Sequence, residues 1–260
     1  MKRWIFAAVA ALTLALGGTP AMADKFEDIL KAGTVRIGVP LDVPPFGSVN
    51  AQRQAEGFDI DLANMVGKAL GVKVELVQLT GANRIPFLLT DKVDIVISVM
   101  GLTPERAKQI MFTAPYADTS LAVYGAKSQN VTSADQLGSL RVVAAKGTTQ
   151  DLGLSAMNPR ATIMRTEDDA TAAQAYITGQ ADMIATNSLI VPDLMKRAPN
   201  KEFDLKFVIR RSPAHMGVRM GEHSLVRWLD GFIFFNTMNG ELDKLHQKWL
   251  AAKMMALPTL

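Results

Sequence analysis

The run "VDIVISVM", residues 93–100, constrains the fold most, because it is apolar on both faces. Strict alternation of apolar and polar residues indicates a strand with one wet face, whereas a continuous apolar run is typical of a strand covered on both sides. Around it, strand patterns ("TVRIGV", "VKVELVQL") alternate with helical ones ("GFDIDLANMVGKALG", "NRIPFLLT"). The alternation predicts an α/β unit whose mostly parallel sheet is flanked by helices.

A second unit of the same kind begins near Val123. It contains a helix around "SADQLGS", the strand "RVVAA", the turn "KGTTQ", a helix from about Glu167 to Thr178, and the strands "ADMIAT" and "LKFVIR". After Met216 the patterns are helical, in "SLVRWLDGFIFFNTM" and "GELDKLHQKWLAAKMM". The sequence therefore predicts two α/β units followed by helices.

The first residues are typical of an export signal. Two basic residues precede an apolar run in "KRWIFAAVAALTLAL", and "AMA" supplies the small-x-small pattern of a cleavage site. We expect residues 1–23 to be a signal peptide that is cleaved after Ala23, leaving a mature chain in the periplasm that begins at Asp24. An uncleaved anchor is the alternative, although the apolar run is short for a membrane span.

Composition excludes several functions. Without residues 1–23 the count falls from 28 basic against 25 acidic residues to 26 against 25, a net charge near +1. No basic stretch carries interleaved aromatic residues, so no nucleic-acid partner is expected. The lack of cysteine excludes disulfides, thiolate metal sites and lipid attachment to cysteine. The three histidines (His215, His223 and His246) lack the spacing of a zinc site and are expected at the surface or in caps, so we expect no metal and no cofactor.

The turn "MGLTPER" raises a question about Arg106. Thr103 is a favourable N-cap and Pro104 suits the first helical position, which puts Arg106 in the first helical turn. A cation there opposes the helix dipole at a cost of roughly 0.3–1 kcal/mol. A bound carboxylate would offset this cost, since charged hydrogen bonds contribute roughly 1.5–3 kcal/mol each. Arg106 is therefore either an anion clamp or a solvated arginine that pairs with Glu105 or a nearby aspartate.

Several segments, in order, carry a family resemblance. They are "TVRIGVPLDVPPF", "GFDIDLANMVGKALG", "NRIPFLLTDKVDIVISVMGLTPERAKQIMFTAPY", "GSLRVVAAKGTTQ", "GQADMIATN" and "GELDKLHQKWL". Over nearly the whole mature chain the sequence resembles the bacterial extracellular solute-binding proteins of the polar amino acid type (family 3), the receptors of ATP-driven amino acid importers. The resemblance implies the type II periplasmic-binding-protein fold, with two α/β lobes joined by two hinge strands. Lobe 1 would hold residues 24–117 and 218–260, and lobe 2 residues 118–217.

The resemblance also implies a ligand site between the lobes. Arg106 would clamp the ligand α-carboxylate, with help from Thr103 and from the main chain between Ser98 and Gly101. From the opposite lobe, hydroxyl and amide groups would contribute at two further residues, Thr148 and Thr149.

Three positions depart from the family pattern. Many members have an aspartate for the ligand ammonium where this chain has Asn187, so another carboxylate substitutes, the ligand is not a standard α-amino acid, or Asn187 only ends a strand. Val43 stands where related receptors often have an aromatic ring, and Pro40 replaces an acidic residue of receptors for basic amino acids. Two more candidates are Arg84, for an acidic or polar ligand side chain, and Phe46, as a pocket wall, each with a purely structural role as the alternative.

The expected function is capture of an amino acid, polar or acidic, by hinged closure and its delivery to an ABC permease in the inner membrane, with its ATPase subunit. An amino-acid-like organic acid or opine is the second ligand class considered. A monomer without catalytic residues suits this role. One alternative is a periplasmic dehydratase of prephenate-like acids, which requires an acid in the cleft; near Asn187 the sequence offers none before Asp193. Another is a sensor subunit that signals through a membrane partner.

Overall fold

The computed structural model describes residues 25–254 and 256–258. The expected signal peptide lies outside these residues. The helices are α1 (Lys25–Ala32), α2 (Phe58–Leu70), α3 (Arg84–Leu89), α4 (Pro104–Ala107), α5 (Thr149–Met157), α6 (Asp169–Ile177), α7 (Val191–Arg197), α8 (His223–Met238) and α9 (Glu241–Leu250). In the part of the chain described, none of them is long and apolar enough to cross a bilayer.

The strands are β1 (Thr34–Pro40), β2 (Ser48–Val49), β3 (Ala55–Glu56), β4 (Lys73–Leu79), β5 (Ile95–Gly101), β6 (Ile110–Ala117), β7 (Ser120–Gly125), β8 (Arg141–Ala145), β9 (Thr162–Thr166), β10 (Met183–Asn187), β11 (Asp204–Arg211) and β12 (Ala214–Arg219). Two short 3-10 turns cover Ala134–Gln136 and Ser188–Ile190.

The first sheet has the strand order β4-β1-β5-β12-β6. β1 runs parallel to β4 and β5, whereas β12 runs antiparallel to β5 and β6. Only β12 therefore opposes the common direction, which confirms the predicted mostly parallel sheet. All residues of β5 except Val99 are buried, as expected for a strand covered on both faces.

The second sheet repeats this plan with the order β11-β7-β10-β8-β9. β8 runs parallel to β9 and β10, and β7 runs antiparallel to β10 and β11. Helices α5 and α6 pack against this sheet. The structure thus contains the two α/β units that the sequence predicts.

The chain passes between the sheets at residues 118–119 and again at residues 212–213. The backbone N–H of Ser212 donates to the carbonyl oxygen of Thr119 at 2.8 Å, and the Thr119 hydroxyl donates to the carbonyl oxygen of Ser212 at 2.6 Å. We propose these adjacent crossings as the boundaries of the two lobes. The expected end of lobe 2 at residue 217 falls inside β12, which its hydrogen bonds place in the first sheet.

Three local predictions were wrong. Residues 214–219 form β12 before the last helices begin, because both edges of this short segment find hydrogen-bonding partners in β5 and β6. "SADQLGS" forms only a 3-10 turn. α6 begins at Asp169 rather than near Glu167, because the Asp168 carboxylate caps it by accepting from Thr171 N at 2.7 Å.

Two of the histidines are buried, contrary to the surface or capping positions expected for them. His215 and His246 are each 4% exposed. The Nδ1 atom of His215 lies 2.7 Å from the Thr113 carbonyl oxygen, and Nε2 of His246 lies 3.2 Å from that of Tyr116. Each imidazole is thus satisfied by a backbone carbonyl inside lobe 1, and burial lowers the pKa of both.

We predict opposite effects of one added methyl group at two glycines of lobe 1. In Gly47→Ala the new Cβ would overlap the backbone carbonyl oxygen of Pro40, which cannot rotate away, so the free energy of unfolding should fall by roughly 1–3 kcal/mol. In Gly231→Ala, inside α8, the Cβ meets no atom within 4 Å, so stability should rise by roughly 0.5–1 kcal/mol. Urea denaturation measures both, and a shift of both variants in the same direction would contradict the packing described.

Candidate functional site

Arg106 is held at the junction of the two lobes by helix α4. The Thr103 side chain accepts a hydrogen bond from the Arg106 backbone N–H at 3.3 Å, and Pro104 occupies the first helical position, as predicted. The whole residue is 6% exposed. The interpretation as a solvated surface arginine is therefore wrong.

The guanidinium of Arg106 bonds to both lobes. Its Nη1 donates to the carbonyl oxygen of Gly101 at 2.8 Å and to the Thr149 hydroxyl at 2.9 Å, and its Nη2 donates to the carbonyl oxygen of Gly147 at 2.9 Å. None of these acceptors is charged. Burial lowers the pKa of Arg106 to about 10, and the nearby cations Arg84 and Arg210 add to this effect. The arrangement is a desolvated cation without a counter-ion among its hydrogen-bond acceptors.

The turn "KGTTQD" of lobe 2 is fixed by its own side chains. The Thr148 hydroxyl caps α5 by accepting from Asp151 N at 3.3 Å and donates to the Ala145 carbonyl oxygen at 2.7 Å. One oxygen of the Asp151 carboxylate accepts from Gly147 N at 3.0 Å, and the other pairs with Arg165 at 2.8 Å. The carbonyl of Gly147 and the hydroxyl of Thr149 are therefore positioned before they meet Arg106.

Two cavities that share Arg84 and Thr149 lie between the lobes. The inner cavity, of about 30 Å³, is lined by Val43, Arg84, Val99, Leu121, Thr148, Thr149, Gln150, Asp169, Asn187, Ile190 and Ser212. The outer cavity, of about 520 Å³, is lined by residues that include Gly81, Arg84, Thr103, Arg106, Gly147, Thr149 and Arg210. Residues of both lobes contribute to each cavity, and Arg84 reaches both.

Arg84 is the buried cation of the inner cavity. It opens helix α3, is 6% exposed, and its Nε donates to the Ser98 hydroxyl at 3.2 Å. Ser98 thus orients Arg84 through its side chain, whereas the sequence analysis expected it to contribute main-chain atoms. The two guanidiniums place two buried positive charges on the lobe 1 side of the cleft.

Asn187 lines the inner cavity from the end of β10. Its side-chain carbonyl oxygen accepts from the Leu189 backbone N–H at 2.9 Å and so caps the 3-10 turn that follows. The residue is buried, but it contributes no charge. In the structure Asn187 thus ends strand β10, which is one of the roles considered for it above.

Asp169 is the site residue that the sequence analysis missed. The helix predicted from about Glu167 puts Asp169 in a first helical turn, where an aspartate needs no ligand, yet the residue lines the inner cavity. Burial raises the pKa of its carboxyl group to about 6, and the charge of Arg84 works against this shift. One signal did point to it: α6 follows β9, so its first turn lies at the same sheet edge as the other site turns.

Phe46 is a core residue rather than a wall of either cavity. It is 0% exposed, and its ring packs edge-to-face on Phe58 with a centroid distance of 5.9 Å. A ring at this position supports the cleft loop from beneath. Val43, from the same loop, lines the inner cavity instead.

A buried hydrogen-bond network holds the strained backbone near the end of β5. Val99 has φ 43°, a left-handed conformation that is unfavourable for a β-branched residue. Its N–H donates to Asp59 Oδ2 and to the Tyr116 hydroxyl, both at 3.0 Å, and that hydroxyl donates to Asp59 Oδ1 at 2.9 Å. Asp59 and Tyr116 are both 0% exposed. The pair therefore fixes the backbone between Ser98 and Gly101.

Two α/β lobes that are joined by two adjacent crossings and enclose a polar, charged cleft define a ligand-binding protein of the type II periplasmic-binding-protein fold. The chain belongs to the bacterial extracellular solute-binding proteins, family 3, whose family model matches residues 35–252. This membership confirms the family resemblance seen in the sequence. An extracellular or periplasmic location follows from it.

Individual relatives agree with this membership. The chain is 29% identical over 258 residues, 96% of each chain, to a Neisseria gonorrhoeae protein named "probable histidine-binding protein". It is 28% identical over 218 residues to the glutamine-binding protein of a Bacillus subtilis ABC transporter, covering 82% of this chain and 80% of that protein. A solved ancestral amino acid-binding protein, described as a precursor of cyclohexadienyl dehydratase, is 33% identical with a TM-score of 0.78 over 88% of this chain and 100% of the other.

We predict that Asp59 makes the stability of the protein depend on pH. Burial raises the pKa of its carboxyl group to about 7, above the ordinary value of 3.8. The protonated Asp59 carboxyl therefore adds to the free energy of unfolding below pH 4, and this contribution is lost as the pH rises towards 7. The reason is that the unfolded chain releases the proton at a lower pH than the folded chain. Relative to Asp59→Asn, the wild type should lose stability between pH 4 and 7 and change little above 8. A pH-independent difference between the two in urea denaturation would contradict this.

Proposed function

We propose that this protein is a periplasmic receptor that captures an amino acid, polar or acidic, by hinged closure and delivers it to an ABC importer. The observation that carries the proposal is the buried Arg106 guanidinium, which is held between the lobes by neutral acceptors. A desolvated cation of this kind gains most from a carboxylate, which supplies charge as well as two acceptor atoms.

Arg106 retains donors for such a carboxylate. Among its hydrogen bonds in the described residues, Nη1 uses both of its hydrogens and Nη2 uses one. The Nε–H and the second Nη2–H are left to bind the α-carboxylate. Thr103, Gly101 and Ser98 shape this end of the site, and a side chain that carries an anionic or polar group would reach Arg84.

Closure follows from the position of the site between the lobes. The inner cavity of about 30 Å³ matches the space of a water molecule and is too small for an amino acid, so capture requires the lobes to separate. Groups of lobe 2, including Thr148, Thr149 and Asn187, reach the ligand only when the lobes approach. The ligand therefore binds the closed form more tightly and shifts the hinge equilibrium towards it.

The partners belong to the same proposal. The closed form would dock on a permease of the inner membrane with its ATPase subunit. The Bacillus subtilis relative is likewise named as the glutamine-binding protein of an ABC transporter. The export signal of residues 1–23 would place the mature chain in the periplasm. The function requires no cofactor and no nucleic acid.

We predict that Arg106→Ala removes amino acid binding. The twenty common amino acids are screened by thermal unfolding of the chain from Asp24 after bound ligand has been stripped. A ligand at 100 times its dissociation constant should stabilise the wild type by about 2.7 kcal/mol, enough to raise the melting temperature by several degrees. Arg106→Ala should show no such shift.

Two further variants complete this experiment. Arg106→Lys keeps the charge but loses the bidentate fork, so its affinity should lie between those of the wild type and Arg106→Ala. Arg160→Ala removes an exposed arginine of lobe 2 and should bind like the wild type. A near-normal affinity of Arg106→Ala would refute the clamp.

A dehydratase is the second candidate, and Asp169 favours it. After Asn187 the chain has no acid before Asp193, but this partly buried carboxyl group, with a pKa of about 6, belongs to a residue that lines the inner cavity. Such a group can protonate a departing hydroxyl. Loss of both water and CO2 from prephenate in the presence of the purified protein, abolished in Asp169→Asn, would establish this activity. Unchanged prephenate would rule out the dehydratase and leave the receptor function as the remaining proposal.

A further inference from the structure

A zwitterionic ligand needs partners of both charges in the cleft. An amino acid brings an ammonium group as well as a carboxylate, and a buried ammonium needs an anionic partner. Asn187, where many family members have an aspartate, is neutral. Its carbonyl oxygen already accepts the Leu189 N–H at 2.9 Å. This position therefore supplies at most a weak, uncharged contact.

Asp169 is the acidic residue whose side chain lines this cavity together with Asn187. In the described residues its carboxylate accepts one hydrogen bond, from Gln150 Nε2 to Oδ1 at 3.3 Å. That contact is long for a bond to a carboxylate, and it leaves Oδ2 without a donor. The carboxylate thus has capacity for the N–H groups of an ammonium.

The hydrogen bonds around Asp169 leave its carboxylate suited to bind a cation. The first turn of α6 is already capped, since Asp168 accepts from Thr171 N and Asp42 Oδ2 accepts from Asp169 N at 2.9 Å. The helix N-terminus therefore has carboxylate partners of its own and does not call for an anionic ligand. The Asp42 contact also crosses from lobe 1 to lobe 2, so the Asp169 backbone is fixed when the lobes are closed.

We infer that Asp169, at the start of α6, takes the place of the aspartate missing at Asn187 and binds the ammonium group of the ligand. The inference rests on the proposed receptor function and names the ligand class of that same site: an α-amino acid with a free, charged amine. The Arg106 and Arg84 guanidiniums then face the anionic groups of that ligand, so each charged group of the ligand meets a group of opposite charge.

The test moves the negative charge from position 169 to position 187. By isothermal titration calorimetry, any common L-amino acid that shifts the thermal unfolding of the wild type is compared with the corresponding 2-hydroxy acid. The 2-hydroxy acid should bind the wild type at least about 10-fold more weakly, and Asp169→Asn should weaken amino acid binding by about 10- to 100-fold. The double variant Asp169→Asn/Asn187→Asp should recover affinity, because it restores one carboxylate beside the ammonium.

Asp168→Asn is the matched control. It removes the neighbouring charge, keeps a good helix cap and does not line the cavity, so its affinity should stay within about threefold of the wild type. A folding defect in Asp169→Asn could not produce rescue by a second substitution, and melting of the unliganded variants verifies their folding.

The outcomes separate the inference from the function on which it rests. Loss in Asp169→Asn with recovery in the double variant supports the inference. Wild-type binding of an amino acid that Asp169→Asn leaves unchanged overturns the inference and leaves the receptor standing. If no common amino acid shifts the unfolding of the stripped wild type, the receptor proposal itself fails.

Discussion

The desolvated guanidinium of Arg106 is the interaction around which the cleft is organised. Taking a guanidinium out of water is costly unless hydrogen bonds replace the solvent. Here the replacements come from both lobes, since Gly101 lies in lobe 1 while Gly147 and Thr149 lie in lobe 2. The approach of the lobes is therefore coupled to the satisfaction of one cation. A carboxylate on its remaining donors would strengthen the same coupling.

Two further layers support that cation. The turn that presents Gly147 is fixed by Thr148 and Asp151 within lobe 2. The turn that presents Gly101 follows the strained backbone at Val99, which the Asp59–Tyr116 pair holds in place. Tyr116 lies near the end of β6, directly before the first crossing between the lobes. The strained site is thus tied by hydrogen bonds to the strand that leads into the crossing.

Much of the fold follows from local patterns. Short stretches of sequence suffice to predict the apolar strand β5, the helix cap at Thr103 and the end of α2 at Gly71, which has a left-handed conformation. β12 could not be recognised in this way, because Gly217 interrupts its apolar character and its partners lie about a hundred residues earlier in the chain. Pairing with distant strands makes this segment a strand, although its local sequence pattern indicates the start of the helical region.

The site divides in the same way. Arg106, Thr103 and Thr148 could be singled out because a cation or a hydroxyl at a helix start has a recognisable physical meaning. Asp169 escaped notice because an aspartate in a first helical turn is ordinary, and only the tertiary arrangement turns it towards a cavity. Phe46 shows the converse, since an aromatic ring near a cleft loop packs equally well into the core below.

The central claim is that an amino acid closes the lobes through Arg106. The chain contains no cysteine, so Gln109→Cys and Ala156→Cys place one spin label on each lobe at exposed positions around the outer cavity. Pulsed electron paramagnetic resonance then measures the distance between them. If Arg106 couples ligand binding to closure, the distance distribution is longer and broader in the stripped protein and shorter and narrower with a saturating amino acid, and the same pair carrying Arg106→Ala shows no such change. One unchanged distribution with and without the amino acid, or equal closure of the Arg106→Ala pair, would contradict this coupling.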